Sequence, residues 1–337
     1  MNSWLQKQWT TFTMWHLLLL PLSWIFFVAI YLRKWLYRIA WIKSARLSVP
    51  VIVVGNISVG GTGKTPMVVW LAEQLKIAGY TPGIVSRGYG GASQGVQAVF
   101  ANSNPQLVGD EPVLIAKRTD CSVYVGADRV QAGRALLKAN PLCNVIISDD
   151  GLQHYALYRD IEIALIDSSR QFGNRCLLPA GPLRENVLRL KSVDAVVVCG
   201  GDEKLDLAAT AGINTFSMQL KGEVLISLAD NKVSKCASDF ADKNLVAIAG
   251  IGNPQRFFSQ LAALGLQFEP IAFPDHYVFS AGDFAALSGK TILMTEKDAV
   301  KCQSFLDADA WYLPVTATLS NTSKAELITP ILQKLRS

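Results

Sequence analysis

Eight consecutive residues in the first quarter of the chain have the types and spacing of a phosphate-binding loop. They are Ser58, Val59, Gly60, Gly61, Thr62, Gly63, Lys64 and Thr65. Glycines let backbone N–H groups approach phosphate oxygens, and the N-terminus of a following helix adds a partial positive charge. In such a loop Lys64 reaches the β- and γ-phosphates, and the Thr65 hydroxyl binds Mg²⁺. The sequence therefore predicts a site for ATP and Mg²⁺.

The residues on either side of this loop favour the same interpretation. An apolar run at 51–54 predicts a strand before it, and a run from Met67 predicts a helix after it, which is the context that the motif requires. Ser58 stands where the usual motif has its first glycine, and serine can hold a turn there. The alternative is a glycine-rich turn that merely begins a helix, but the Gly-Lys-Thr sequence argues against it.

Two adjacent carboxylates follow another apolar run. Asp149 and Asp150 come directly after residues 145–148, which predict a buried strand. Ligands of parallel sheets bind at the carboxyl ends of strands, and in phosphate-loop proteins an acid at such an end completes the Mg²⁺ shell. The alternative is a plain Asp-Asp-Gly turn. Which of the two acids contacts the metal stays open.

Two further polar residues have ordinary structural explanations when they are taken alone. Asp110 precedes an apolar helical run and Pro112, a pattern typical of a helix N-cap. His276 lies in a Pro-Asp-His turn, where a lone histidine is usually structural although a base could be presented there. His154 follows the acidic pair closely enough to support it.

The elements that must position these residues predict an α/β fold. Short Val- and Ile-rich runs are typical of parallel strands buried on both faces, and they alternate with helical patterns at 66–78 and 129–139. We therefore expect a doubly wound, mainly parallel sheet in residues 47–200. A polar patch near Gly200 predicts a boundary, and a second, smaller α/β domain is expected over 201–337. Its strands are expected near 215–220, 245–249, 266–272, 291–295 and 311–315, and its helices at 254–264 and 324–335.

The N-terminal residues 1–46 predict a membrane-associated segment. Residues 12–32 are almost entirely apolar and would form a helix about 30 Å long, close to the thickness of a bilayer core. Tryptophan and tyrosine flank this stretch and a basic cluster follows it, which favours a cytoplasmic body and opposes a signal peptide. Pro21 and His16 leave both a spanning and an in-plane helix open. A buried helix of a soluble protein is the third alternative.

Composition excludes several other classes. The 337 residues are 50% hydrophobic and 18% charged with a net charge of +5, which indicates a folded protein with an apolar excess. Much of the positive charge lies directly after the apolar stretch, and no motif typical of nucleic-acid binding is present. The six cysteines lack the spacing of a zinc site or a disulfide framework and predict buried, reduced thiols. Nothing in the sequence indicates an obligate protein partner.

Taken together and in order, the motifs resemble those of the tetraacyldisaccharide 4'-kinase family, the lipid A 4'-kinases of the bacterial inner membrane. The resemblance runs from the apolar N-terminus to about residue 300. Its motifs lie at residues 55–66, 86–89, 109–112, 149–154, 178–185, 273–277 and 295–298.

This resemblance implies transfer of the ATP γ-phosphoryl group to the 4'-hydroxyl of a tetraacylated glucosamine disaccharide 1-phosphate. It implies dependence on Mg²⁺, an acceptor carried in the membrane, and a catalytic body on the cytoplasmic face. It also implies that Asp110 and His276 form a dyad that activates the hydroxyl. Arg87 and Arg184 are candidates for acceptor or phosphate contacts because guanidinium groups bind phosphates well, with loop-stabilising salt bridges as the alternative.

The main alternative is a membrane-associated switch ATPase of the partitioning kind. Such proteins carry a lysine near the start of the loop, where this chain has Val59, and they usually attach by a C-terminal amphipathic helix. A nucleotide-sensing module is the third possibility, but it would leave Asp110 and His276 without a task.

Overall fold

A computed structural model describes residues 8–9, 12–92, 94–200, 212–306 and 309–336 of the chain. The helices are α1 (Met14–Arg38), α2 (Lys64–Ile77), α3 (Pro105–Val108), α4 (Asp110–Thr119), α5 (Arg129–Ala139), α6 (Pro254–Ala263), α7 (Glu296–Cys302) and α8 (Asn321–Arg336). The first eight strands are β1 (Val51–Asn56), β2 (Pro82–Ser86), β3 (Gln97–Val99), β4 (Ser122–Val125), β5 (Val145–Asp149), β6 (Ile161–Asp167), β7 (Ala195–Cys199) and β8 (Thr215–Lys221). The remaining strands are β9 (Leu225–Ser227), β10 (Ser234–Lys235), β11 (Leu245–Ala249), β12 (Glu269–Ala272), β13 (Thr291–Thr295), β14 (Ala310–Leu313) and β15 (Thr316–Thr318).

The larger sheet has nine strands within the described residues, in the order β15-β8-β7-β6-β1-β5-β2-β4-β3. Only its two edge strands, β3 and β15, run antiparallel to their neighbours. Successive side chains of β1 enter opposite cores: Ile52 and Val54 pack with α2, whereas Val51 and Val53 pack with α5. The predicted doubly wound α/β fold is confirmed. The crossovers bring the carboxyl ends of β1, β5 and β2 to one edge, where the phosphate loop begins.

The smaller sheet has six strands in the part of the chain that the structure describes, in the order β10-β9-β14-β13-β11-β12. Strands β11 to β14 are parallel to one another. Strand β9 pairs antiparallel with β14, and β10 pairs antiparallel with β9 at the edge of the sheet. Helix α6 packs on one face through Phe257 and Leu261, and α7 packs on the other through Ala299 and Cys302. This sheet therefore has its own two-sided core.

The path of the chain differs from the predicted boundary near residue 200. Strand β8 pairs in parallel with β7, β15 pairs with β8, and α8 places Leu327 and Ile331 in the core of the larger sheet. The strands of the smaller sheet fall between Leu225 and Leu313. Residues 215–221 and 316–318 therefore belong to the larger sheet, and the smaller sheet is formed within residues 225–313. The polar residues 201–203 that suggested the boundary lie outside the described residues.

Helix α1 has its apolar surface in solvent and its polar side chains against the protein. By length and composition it could cross a membrane, with a mean hydropathy of 1.9, and only 11% of that apolar window is buried. The buried residues of the helix are His16 and Ser23, whereas Trp24 and Ile25 are about two-thirds exposed. Within the predicted segment 1–46, residues 1–7 and 10–11 lie outside the description. The soluble-core interpretation of this helix is wrong, because a core helix buries its apolar side chains.

Candidate active site

The phosphate loop connects β1 to α2, as predicted. Gly63 caps α2 with a φ of 83°, a left-handed conformation that suits glycine. A Cβ at Gly63 would lie 2.7 Å from the Cys199 Sγ atom, so a side chain there would also clash. The Asn56 side-chain amide donates to the Thr62 hydroxyl at 3.1 Å. Contacts to β1 and β7 thus fix the conformation of the loop.

The start of this loop is fixed by a second segment, residues 176–185. The Val59 amide donates to the Pro182 carbonyl at 2.8 Å, and Ser58 forms an isolated bridge with Leu183. The Arg184 amide donates to the Ile57 carbonyl at 2.7 Å. These contacts bury Ser58 to 9% exposure, so its position is structural rather than at the open surface of the loop.

Asp149 and Asp150 have opposite environments despite being adjacent. Asp149 is 1% exposed; one oxygen accepts a hydrogen bond from the Ser86 hydroxyl at 3.0 Å, and the other has no protein partner. Burial, with the negative charges of Glu111 and Asp150, raises the pKa of Asp149 to about 7. A buried carboxylate with an unpaired oxygen in a negative environment has the chemistry of a cation ligand.

Asp150 is instead compensated by two cations. Arg184 donates to both of its oxygens at 3.0 and 3.1 Å, and the Lys64 ammonium lies 3.6 Å away. Burial alone would raise the pKa of Asp150, but Lys64 and Arg184 outweigh it and hold the pKa well below its usual range. Asp150 therefore orients two cations at the phosphate loop. The side chains of Asp, Glu, His and Cys do not form a three-membered metal cluster within the described residues.

Asp110 and His276 meet across the two domains. The Asp110 Oδ2 atom lies 3.5 Å from the His276 Nδ1 atom, although the residues are far apart in sequence. Asp110 is the first residue of α4 and is 6% exposed, and its other oxygen accepts from the Glu111 amide at 2.8 Å. Gly109, not Asp110, is the cap residue of this helix. His276 has a φ of 58°, a strained left-handed conformation, which presents its ring from the loop after β12.

The charges around Asp110 keep it ionised. Burial would raise its pKa, but Lys297, the hydrogen bond from His276 and Lys301 together lower that pKa to about 2. The ring of Tyr89 packs edge-on against His276 at 5.0 Å. An ionised carboxylate backed by an imidazole can accept a hydroxyl proton when a reacting group is brought to it.

A cleft of about 950 Å³ lies between the domains and unites most of these groups. Of the predicted residues, it is lined by Val59, Gly60, Gly61, Thr62, Gly63, Lys64, Thr65, Asp150, Arg184 and His276. Asp110 lines a smaller cavity behind His276, and Asp149 is buried beneath the cleft. Arg87 is exposed and lies outside the cleft lining, whereas Arg184 is part of that lining. The structure therefore separates the two arginines that the sequence treated alike.

Sequence reasoning assigned no role to two charged residues of this site. Glu111 follows Asp110 and contributes to the raised pKa of Asp149, and Lys297 lies 3.0 Å from Glu111 and 3.8 Å from Asp110. Both belong to motifs noted in the sequence, at 109–112 and 295–298. Their charges indicated a possible role, but the spacing of residues in the sequence does not predict the contact between domains that brings Glu111 and Lys297 together.

Comparison with known proteins gives consistent results. The family model described as "Tetraacyldisaccharide-1-P 4'-kinase" matches residues 15–336. A tetraacyldisaccharide 4'-kinase of Methylobacillus flagellatus is 50% identical over 97% of this chain and 95% of its own. One from an Azoarcus species is 51% identical over 93% and 91%. A crystal structure of the "apo" form of LpxK from Aquifex aeolicus in complex with ATP is similar with a TM-score of 0.79 and 32% identity, covering 96% of this chain and 99% of that one.

Proposed function

Because the chain belongs to the tetraacyldisaccharide-1-P 4'-kinase family, we propose that it transfers the ATP γ-phosphoryl group to the 4'-hydroxyl of tetraacyldisaccharide 1-phosphate in lipid A biosynthesis. The observation that carries this proposal is the Asp110–His276 pair, at 3.5 Å, beside a cleft that also contains the phosphate loop. A switch ATPase needs the loop, whereas a carboxylate–imidazole pair beside the loop also supplies a base for an acceptor hydroxyl.

In the proposed reaction, the loop amides and Lys64 bind the β- and γ-phosphates. Asp150, which also pairs with Arg184, holds the Lys64 ammonium in place. Asp110 accepts the proton of the 4'-hydroxyl while the new O–P bond forms. The bond from the γ-phosphorus to the β,γ-bridging oxygen breaks, and ADP leaves. His276 orients Asp110 through the hydrogen bond and stabilises its ionised form until the proton is transferred.

Mg²⁺ fits this site, and the residues that would hold it are Thr65, Asp149 and Asp150. The fit rests on the unpartnered, buried oxygen of Asp149, the raised pKa of that residue and the nearby charge of Glu111. When bound, Mg²⁺ would neutralise the charge on the β- and γ-phosphate oxygens. Asp150 already has two cationic partners, so the direct contact belongs to Asp149 in this proposal.

Helix α1 and the residues after it support the proposed membrane attachment. The helix exposes a large apolar surface, and the basic residues that follow this surface suit the anionic cytoplasmic leaflet. These are Arg33, Lys34, Arg38, Lys43 and Arg46. We therefore place the catalytic body on the cytoplasmic face of the bacterial inner membrane, where an acylated acceptor would reach it without leaving the bilayer.

The proposal is tested by a label-transfer assay with γ-labelled ATP and a disaccharide lipid acceptor. We expect Lys64→Ala and Asp110→Ala each to lower turnover by about 10²–10⁴-fold, because one removes charge neutralisation and the other the proton acceptor. Only Lys64→Ala should also weaken the interaction with Mg-ATP. Lys243→Ala serves as the control, since Lys243 forms a surface pair with Asp309 far from the cleft.

Two outcomes would contradict the proposal. Near-normal turnover in Asp110→Ala would remove the base assignment. ATP hydrolysis without a lipid acceptor, stimulated by a protein partner, would favour the switch ATPase instead.

A further inference from the structure

Lys297 is a buried cation of the smaller domain that faces two acids of the larger one. It lies in α7, and its side chain is only 16% exposed. Its ammonium is 3.0 Å from a carboxylate oxygen of Glu111 and 3.8 Å from the Oδ1 atom of Asp110. These acids raise the pKa of Lys297 against the effect of burial, so the ammonium stays charged.

The other basic residues of the cleft pair with groups other than Asp110 and Glu111. Within the described residues, six Lys and Arg side chains line the cleft: Lys64, Lys76, Arg118, Arg184, Arg256 and Lys297. Lys64 and Arg184 pair with Asp150, Arg118 pairs with Glu296, Arg256 pairs with Asp167, and Lys76 donates to the Thr119 carbonyl. Among these six cations, Lys297 is therefore the one that lies close to Asp110.

Lys301 shows why proximity to Asp110 is not enough. Its ammonium lies 3.9 Å from Asp110, but it forms a 2.6 Å pair with the fully buried Asp298. It lines the small cavity behind His276 and is absent from the lining of the cleft. Lys301 thus stabilises α7 and the loop beside it, whereas Lys297 lines the cleft that contains the phosphate loop.

The proposed reaction needs a cation between Asp110 and the transferring phosphoryl group. An ionised Asp110 must come close to a phosphoryl group that is itself negative, and Glu111 adds another negative charge nearby. The transferring group carries its charge on three equatorial oxygens, and fixed cations that contact those oxygens stabilise the transition state. A lysine ammonium has three donors, so contact with Glu111 leaves others for a phosphoryl oxygen and for Asp110.

We propose that Lys297 is a further catalytic residue of this kinase, whose ammonium bridges Asp110 and the phosphoryl group as that group passes from ATP to the acceptor. This inference rests on the proposed function. Lys297 keeps all its protons: the hydroxyl proton goes to Asp110, the new O–P bond forms at the acceptor, and the bond to the leaving ADP breaks. The smaller domain then contributes a charge to the chemistry as well as the imidazole of His276.

The test compares Lys297→Met, which keeps the apolar stem and loses the charge, with Lys297→Arg, which keeps the charge. Full-length variants are assayed by label transfer over a range of ATP concentrations at saturating lipid. We expect kcat to fall by about 10²–10³-fold in Lys297→Met, to stay within about tenfold in Lys297→Arg, and the KM for ATP to change by less than about threefold. Lys290→Met is the matched control, because Lys290 forms a surface pair with Glu269 in the same domain.

Melting curves separate a chemical role from a structural one. Lys297→Met should melt as a folded protein and be stabilised by Mg-ATP as the wild type is; if it does not fold, the Arg variant decides. A kcat of Lys297→Met within threefold of the wild type, or an Arg variant that folds and is as inactive as Met, would overturn the inference. An absence of label transfer by the wild type would instead contradict the proposed function itself.

Discussion

Neighbouring residues of one type can have different tasks, and the two acids at the end of β5 show how. Sequence position made Asp149 and Asp150 equivalent candidates, but only Asp150 reaches Lys64 and Arg184. Asp150 has a φ of 47°, so the backbone turns sharply between the two and directs their side chains apart. Asp149 stays beneath the cleft with one oxygen unpaired. This division depends on backbone conformation, which the sequence did not predict.

His154 gives a pH prediction at the same scale. Burial and the charges of Arg129 and Arg159 lower its pKa from 6.5 to about 4, so the folded protein favours the neutral ring. The unfolded chain therefore binds more protons between pH 6.5 and 4, and the free energy of unfolding falls as the pH falls through that window. We expect His154→Asn to remove about 1–2 kcal/mol of this decrease, after allowance for partial exposure.

The measurement is denaturant unfolding of both proteins from pH 8 to pH 4. The difference in unfolding free energy between them should be constant above pH 7 and should shift in favour of the variant at lower pH. A difference that does not change with pH would contradict the effect assigned to His154.

Segment 176–185 links helix α1 to the phosphate loop. On one side, the Ser23 hydroxyl donates to the Leu177 carbonyl at 2.9 Å and accepts from the Ala180 amide at 3.0 Å. On the other side, the segment pairs with Ser58 and Val59. Ser23 of α1 thus contacts segment 176–185, which in turn contacts the phosphate loop. This explains why a serine is buried in a helix whose apolar residues are exposed.

We expect Ser23→Ala to destabilise this segment by about 1–3 kcal/mol, because the buried Ala180 amide loses its acceptor. The measurement is amide hydrogen exchange in detergent, in which protection of the Ala180 amide should fall selectively. Ile25→Ser is the control: Ile25 is 67% exposed, so this change should weaken vesicle binding without altering protection at Ala180. Unchanged protection in Ser23→Ala would show that the contact does not hold the segment.

The predictability of the elements depended on whether their signals were local. Helix α5 was expected at 129–139 and is Arg129–Ala139, because its pattern is local to the segment; the structure adds Asp128 as its N-cap. The strand expected at 215–220 exists as β8, but it joins the larger sheet. The partner of a strand is set by the three-dimensional path of the chain, and no pattern within residues 215–221 specifies it. The sequence analysis did not predict that β15 and α8 pack with the larger sheet, for the same reason.

The active site followed the same rule at the scale of the whole molecule. The phosphate loop and the acids after β5 were predicted from local motifs, and the structure brings Lys64 to Asp150. The pairing of Asp110 with His276 came from family resemblance, because the two residues lie in different domains. Lys297 was given no role, since its partners also lie across the cleft. The sequence thus indicated candidate residues in each domain, but it did not indicate how the two domains bring those residues into contact.

The whole molecule combines a two-domain catalytic body with one exposed apolar helix, and this division predicts the result of a truncation. Among the described residues, deleting residues 1–46 leaves every strand of both sheets, since the first begins at Val51, and removes only the isolated bridge between Ala45 and Leu157 from the pairing. It removes the exposed apolar side chains of α1, each of which contributes about 1.5–3 kcal/mol when fully buried in an apolar phase. The wild type should therefore sediment with vesicles, and most of the truncated protein should remain in the supernatant.

The truncated body should still bind ATP, because its loop contacts to residues 182–184 remain, although the loss of Ser23 should loosen residues 177–180. Circular dichroism and ATP-dependent thermal stabilisation would check that the sheets have folded. A high-salt wash of the wild type separates apolar from purely ionic attachment, since salt screens the basic cluster and leaves the apolar contribution. If the truncated protein sedimented wholly with membranes, a surface of the catalytic body, and not helix α1, would be the principal attachment.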